Sequence, residues 1–491
     1  MGGGYPHEMK RAGNEQEIII LGSGIGGLIA GTLLVKNNHP VLILKENRYQ
    51  PSYSIKGYRF FPFSNFSEKR ISPNLIKNIS QTLNLPLLIE TQEEGNSVKN
   101  ISGKSKQRAT FQVILPKARI DIFPERSLSQ KEWMREFPKE VGQIEKFYNE
   151  LEQIQHLLPS VYPFRQRSFI KKLFSFDSLP KEGVDKKLFS FSRNFIEFIQ
   201  LQLISRGSLY SNRFPISLAA HILFDETNEL NLNFDFEKLE REILNQFLKL
   251  GGKIEEIDRV NEVNQGWRKG ITLFLEGDPR EFCSDFLIFN SPLHRISSLP
   301  GKKGKELIKW GEKIKPLYVM PPLFLGIREK VIPVGMKDLL ISILDIEKPY
   351  QDGNVLFISL SPKGDETQAP EGKRALTVES LMELRKWEQT LLVDYQKGVM
   401  EHLYPLFPFL EDHIEFLDFQ WAREQIPKWS YSHYLYETTS DFNWREGVVP
   451  VRISKKIYFV GKENFPYLGL EGEIFSGFMA AQQILKKYGM G

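Results

Sequence analysis

The chain has 491 residues, with 65 Lys plus Arg against 61 Asp plus Glu, a formal net charge of +4, and 41% hydrophobic and 26% charged residues. That length is too great for one hydrophobic core, so two interleaved domains are expected, and the composition is ordinary for a soluble globular protein. A small charge spread along the chain argues against a nucleic-acid partner, the single Cys283 excludes an internal disulfide or a thiol cluster, and the 8 scattered histidines show no metal-ligand spacing.

The opening MGGGYPHEMKRAGNEQ lacks an apolar region and is expected to be a disordered lead, not a signal peptide. No apolar run approaches the roughly 20 residues of a membrane span. A strand is expected at Glu17–Leu21, a helix from about Gly26 to Lys36 and a strand at Val41–Leu44, which together make a βαβ unit. Residues 74–92 read as a helix and a strand, 100–125 as a pair of strands, and 131–158 as a helix. Between 160 and 215, Phe164, Phe169, Phe189, Phe191, Phe195 and Phe198 sit among Lys171, Lys172, Lys186, Lys187 and Arg193. Such a stretch can cover an apolar tunnel, rest on a membrane surface, or form a helical subdomain with buried aromatics and solvated lysines. Leu239, Ile243, Phe247 and Leu250 mark one face of a helix over 235–250, which Gly251–Gly252 stop. Strands are expected at Lys253–Ile257, Glu262–Asn264, Ile271–Glu276 and Phe286–Phe289, then an α+β region over 300–430, a strand at Ile457–Val460 and a helix from about Gly472 to Lys486.

Gly22-Ser23-Gly24-Ile25-Gly26-Gly27 fits GxGxxG at Gly22, Gly24 and Gly27, between an expected strand and an expected helix. Gly22 permits the tight turn, Gly24 lets a pyrophosphate approach the backbone, and Gly27 lets the helix lie close to the strand. The amides and the positive end of the helix then favour phosphate. A carboxylate normally closes the second strand and holds the ribose hydroxyls; here Lys45 stands there and Glu46 follows it. A bulge turning Glu46 inward, or Lys45 meeting a phosphate such as that of NADP, would each answer the substitution.

On Gly22–Ala30, Leu239–Val263 with Ser284–Pro292, Ser359–Val378 and Ile457–Ala481, the chain resembles the phytoene desaturase and carotenoid isomerase branch of the amine-oxidase-like FAD superfamily. The resemblance implies an α/β fold: a Rossmann-type FAD/NAD(P)-binding domain interleaved with an α+β substrate domain. The expected map is a lead at 1–16, a dinucleotide-binding domain at 17–125, 231–300 and 441–491, a helical substrate-domain insertion at 126–230, and the substrate domain at 301–440. It further implies cofactor contacts at Gly22, Gly24, Gly26, Gly27, Val260 (backbone to adenine), Gly461, Glu471 and Gly472, the last two over the flavin pyrimidine edge. The family's Gly-Asp pair reads Gly461-Lys462 here, and its Gly-Gly pair after the second strand is replaced by Tyr49-Gln50-Pro51-Ser52-Tyr53-Ser54.

Two accounts follow. In the first, FAD is held with Lys45 and Lys462 drawn to its diphosphate, and the protein is an oxidoreductase or isomerase acting on a long apolar, carotenoid- or polyprenoid-like substrate. In the second, FAD is lost, Tyr49, Tyr53 or Tyr58 fills its place, and the chain is a catalytically silent homologue binding a partner protein or a lipid, as Rab-escort-type relatives do. The expected location is cytoplasmic or peripheral to the inner face of a membrane.

Overall fold

A computed structural model describes residues 15–46, 52–61, 71, 73–86, 111–123, 125–157, 182–205, 207–211, 214–224, 236–258, 260–266, 270–293, 310–389, 392–425, 434–438 and 447–489. Most of the expected lead, the 49–51 stretch and residues 160–181 of the Phe-rich region lie outside these. In chain order the strands are β1 (Glu15–Leu21), β2 (Val41–Glu46), β3 (Tyr53–Ile55), β4 (Tyr58–Phe60), β5 (Phe111–Leu115), β6 (Ala118–Ile122), β7 (Lys253–Ile257), β8 (Val260–Gly266), β9 (Gly270–Leu275), β10 (Asp278–Phe289), β11 (Ile314–Val319), β12 (Pro322–Arg328), β13 (Leu339–Ile343), β14 (Val355–Leu360), β15 (Lys373–Ser380), β16 (Met382–Glu383), β17 (Ile414–Asp418), β18 (Tyr434–Thr438) and β19 (Ile457–Phe459).

The first sheet runs β7-β2-β1-β10-β9-β8, with β19 also paired to β10. Its centre is parallel, β1 lying between β2 and β10. Ile18, Ile19 and Ile20 are all fully buried, as expected of a parallel strand covered on both faces. β10 changes neighbours along its length: Asp278–Ser284 pairs antiparallel with β9, and its far end pairs parallel with β1 and β19. Helices Ile25–Lys36, Phe236–Lys249 and Leu470–Leu485 pack together with this sheet in one core. Gly477 and Gly26 let the first and last helices touch, since a Cβ on Gly477 would lie 2.3 Å from the Gly26 carbonyl oxygen. Gly31 meets the Phe247 ring in the same way, 3.1 Å from a built Cβ.

The second sheet runs β17-β12-β15-β14-β13-β5-β6 and is antiparallel except where β13 meets β5. The strands β5 and β6 therefore belong with the 310–425 region, although the expected boundary placed them with 17–125. The physical reason is register: Gln112, Val113 and Ile114 pair with Leu340, Ile341 and Ser342, extending that sheet's edge. A small sheet, β16-β11-β18, lies beside it. The helix expected over 131–158 is two helices, Arg126–Glu136 and Val141–Leu157. The break falls at Phe137, which precedes Pro138 and is pushed out of helical conformation by it. In the Phe-rich region Phe195 and Phe198 are fully buried, while Phe189 is 91% exposed. Among the described residues no helix is long and apolar enough to cross a membrane.

Candidate functional site

The C-terminal ends of β1, β10 and β19 converge where the neighbours of β1 diverge, the position at which open α/β sheets place a ligand. Four groups meet there. β1 delivers Gly22, whose φ of 106° suits glycine and whose N–H donates to the Leu44 carbonyl at 2.9 Å. Gly24 caps the first helix without a side chain, leaving the first-turn amides open to an acceptor. β10 delivers the fully buried Asn290, and the last helix delivers Glu473, 4% exposed, one turn before Gly477.

These last two side chains occupy the turn. The Gly26 N–H donates to Glu473 Oε1 at 3.3 Å, and the Gly27 N–H donates to Asn290 Oδ1 at 3.2 Å. Asn290 Nδ2 in turn donates to Glu473 Oε1 at 3.1 Å and to the Val460 carbonyl at 3.0 Å. The hollow made by the missing side chain of Gly24 is filled too: a Cβ there would lie 2.5 Å from Glu473 Oε1 and 2.8 Å from Asn290 Oδ1. A carboxylate thus sits at the positive end of the helix, where a phosphate would otherwise be favoured.

The wall from 461 to 473 is closed as well. Lys462, Glu463, Asn464, Glu471 and Glu473 are all buried. The Gly461 N–H donates to Asn464 Oδ1 at 2.8 Å, and Asn464 Nδ2 donates to the Val449 carbonyl at 2.8 Å. Glu463 accepts from the Leu293 N–H at 3.1 Å and from the Tyr436 hydroxyl at 2.9 Å. Burial raises the Glu463 carboxyl above the usual range; hydrogen bonds from Leu293, its own backbone and Tyr436 oppose this, and Glu473 adds to it. Three carboxylates against Lys462 give this stretch a negative formal charge.

The other expected contacts lie apart. Lys45, about one third exposed, faces Glu256 across β2 and β7 at 3.7 Å. Glu46 continues β2 opposite Ile257. Val260 is buried in the cluster beneath the first sheet, beside Leu275. Gly472 sits in the first turn of the last helix against Phe465, whose carbonyl oxygen would be 2.4 Å from a Cβ. Tyr53 and Tyr58 do not enter the cradle. They pack on the second sheet with Phe324, Phe416 and Trp421, and Tyr53 donates to Asp418 at 2.5 Å. Neither Glu473 nor Asn290 stands out as a site residue in the sequence. The available signal is the i, i+4 spacing of Glu473 and Gly477, which puts both on the face that docks against the first helix.

A Ser342–His402 pair also resembles catalytic chemistry. Ser342 Oγ and His402 Nε2 are 2.9 Å apart, and His402 Nδ1 lies 2.8 Å from the Gly353 carbonyl. Both residues are 1% exposed, and burial pushes the His402 imidazole down to about 4. Closed off in the second sheet's core, this neutral pair is structural. Among the described residues no group of three or more His, Cys, Asp and Glu side chains could hold a metal ion.

A nucleotide diphosphate does not fit the residues present. The Gly26 and Gly27 amides already have acceptors, the place beside Gly24 is filled, and the filling group is a carboxylate, which repels a phosphate.

A family model described as flavin containing amine oxidoreductase matches residues 190–485. Prolycopene isomerase 2, chloroplastic, of an Oncidium hybrid cultivar is 22% identical over 97% of this chain and 84% of its own length. A putrescine oxidase double mutant with redesigned cofactor binding superposes with a TM-score of 0.62 at 14% identity, covering 96% of this chain and 99% of that one. A Rab GDI from Plasmodium falciparum superposes with a TM-score of 0.52 at 12% identity, covering 96% of this chain and 99% of that one. These structural likenesses speak for the fold.

Proposed function

The chain belongs to the flavin-containing amine oxidoreductase family, a membership that implies a flavin, and we propose that it has kept the family's fold while giving up the family's way of holding the cofactor. On this reading it is a catalytically silent homologue that binds a long apolar, polyene- or prenyl-like ligand. The observation that carries the loss of the cofactor is the Glu473 carboxylate seated on the Gly26 N–H, inside the hollow that Gly24 leaves. The class of ligand rests on the prolycopene isomerase relatives, which the chain follows over 97% of its length. Side chains that exclude the flavin phosphates leave no seat from which a flavin could act.

The test is the visible spectrum of the purified protein, followed by its melting temperature with and without added FAD. A colourless protein whose melting temperature ignores FAD supports the proposal. A yellow protein that keeps flavin through gel filtration overturns it. That outcome would favour the other reading, an FAD-dependent oxidoreductase or isomerase acting on a carotenoid-like substrate, which the family match and the same relatives also support.

A further inference from the structure

We infer that Glu473 is an internal substitute for the ligand's phosphate: its carboxylate supplies the negative charge that the glycine turn is built to receive, and by filling that place it decides that no external nucleotide enters. This rests on the reading of the chain as cofactor-free and goes further, because it assigns the exclusion to one residue.

The geometry is that of a bound anion. Glu473 is 4% exposed, and its Oε1 takes the Gly26 N–H at 3.3 Å and Asn290 Nδ2 at 3.1 Å. A buried carboxylate with two N–H donors at the first turn of a helix is stabilised by both hydrogen bonding and the helix dipole. Asn290 fixes the arrangement, because its Oδ1 is held by the Gly27 N–H and its Nδ2 by the Val460 carbonyl. So anchored on both sides, the amide turns Nδ2 toward Glu473 as well. A ligand phosphate would link the first turn to the facing strand ends from outside the chain. Glu473 makes that link from the last helix, 447 residues away.

The same geometry predicts chemical rescue. With Glu473→Ala, the Gly26 amide and Asn290 Nδ2 lose their shared acceptor, the hollow beside Gly24 opens, and Lys462 stands in the same segment without that carboxylate. The variant is expected to melt lower than the wild type and to be restored, saturably, by inorganic diphosphate or ADP, with potassium chloride of equal ionic strength giving no recovery. The wild type is expected to ignore both anions, so its dissociation constant for ADP should be at least about tenfold weaker than the variant's. Glu473→Gln keeps an acceptor in place and should gain nothing. Should Glu473→Ala fail to fold by itself, refolding yield with and without diphosphate gives the same readout, and Glu473→Ser provides a second small side chain. Absence of rescue in both small variants overturns the inference, as does an equal gain in Glu473→Gln, since filling of the place is what is claimed. Wild-type protein that binds FAD would defeat the cofactor-free reading itself. A wild type indifferent to FAD, combined with silent small variants, would leave that reading standing and overturn only the role of Glu473.

Discussion

The crevice of the first sheet and the core of the second sheet each close around a buried polar pair, and the pairs differ in charge and in the architecture that holds them. Glu473 and Asn290 meet at a helix N-terminus built from glycines, where the backbone offers unsatisfied donors and a space without side chains. Ser342 and His402 meet between a strand and a helix whose backbones are already satisfied, and the imidazole stays neutral. Each resembles part of an active site, yet a seat for a ligand exists only in the first, where the chain has taken it with its own side chain. Hydrogen-bond geometry alone therefore does not separate function from packing. The separating question is whether the surrounding backbone would need a partner if the side chain were removed.

That contrast can be broken at both ends. The largest effect is expected from Gly477→Val, because any Cβ there strikes the Gly26 carbonyl at 2.3 Å and must push the last helix off the first. Loss of about 3 kcal/mol or more in denaturant unfolding is expected, and a near-neutral result would show that the two helices do not depend on this approach. The second effect is a pH dependence in the other core. His402 is held near 4 in the folded chain against an ordinary 6.5, so below pH 6.5 the unfolded chain takes a proton that the folded chain refuses. Stability is therefore lost as pH falls from about 6.5 to about 4, by roughly 3 kcal/mol. In a His402→Gln variant that part of the pH slope should vanish; its persistence would assign the slope to other groups. Ser342→Ala comes next, at about 1–2 kcal/mol, since it leaves the buried Nε2 without its hydroxyl. The smallest change is expected from Lys45→Glu, which exchanges an exposed ion pair for two carboxylates: below about 1 kcal/mol. Supplying the ribose carboxylate in this way should not create FAD binding while Glu473 holds the turn. If it does, the lesion lies on the second strand and not in the cradle.

Much of the scaffold is readable from local pattern. The isoleucine run of β1, the glycine turn and the Leu239–Ile243–Phe247 face each carry their own period, and all three side chains of that face are fully buried. Pro138 marks the division of the long helix, but the apolar spacing runs on through it and hides the break. The capped cradle is harder to read because Glu473, Asn290 and Gly26 come from three distant segments, and no one segment betrays the contact. Lys45 and Lys462 stand out as reversals of a carboxylate pattern; in the fold one meets Glu256 at the surface and the other is buried in the closing wall. The residue that fills the turn is the second of two glutamates in the first turn of the last helix, and nothing in the local pattern separates it from Glu471.

The bond from Glu473 to Gly26 has a consequence for synthesis on the ribosome. The first supersecondary unit to emerge carries amides whose acceptors are made hundreds of residues later, and β1 must also wait for β10 to enter beside it. The opening βαβ unit cannot reach its final form while the segment around Glu473 is still in the exit tunnel, because its Gly26 bond waits on that late helix.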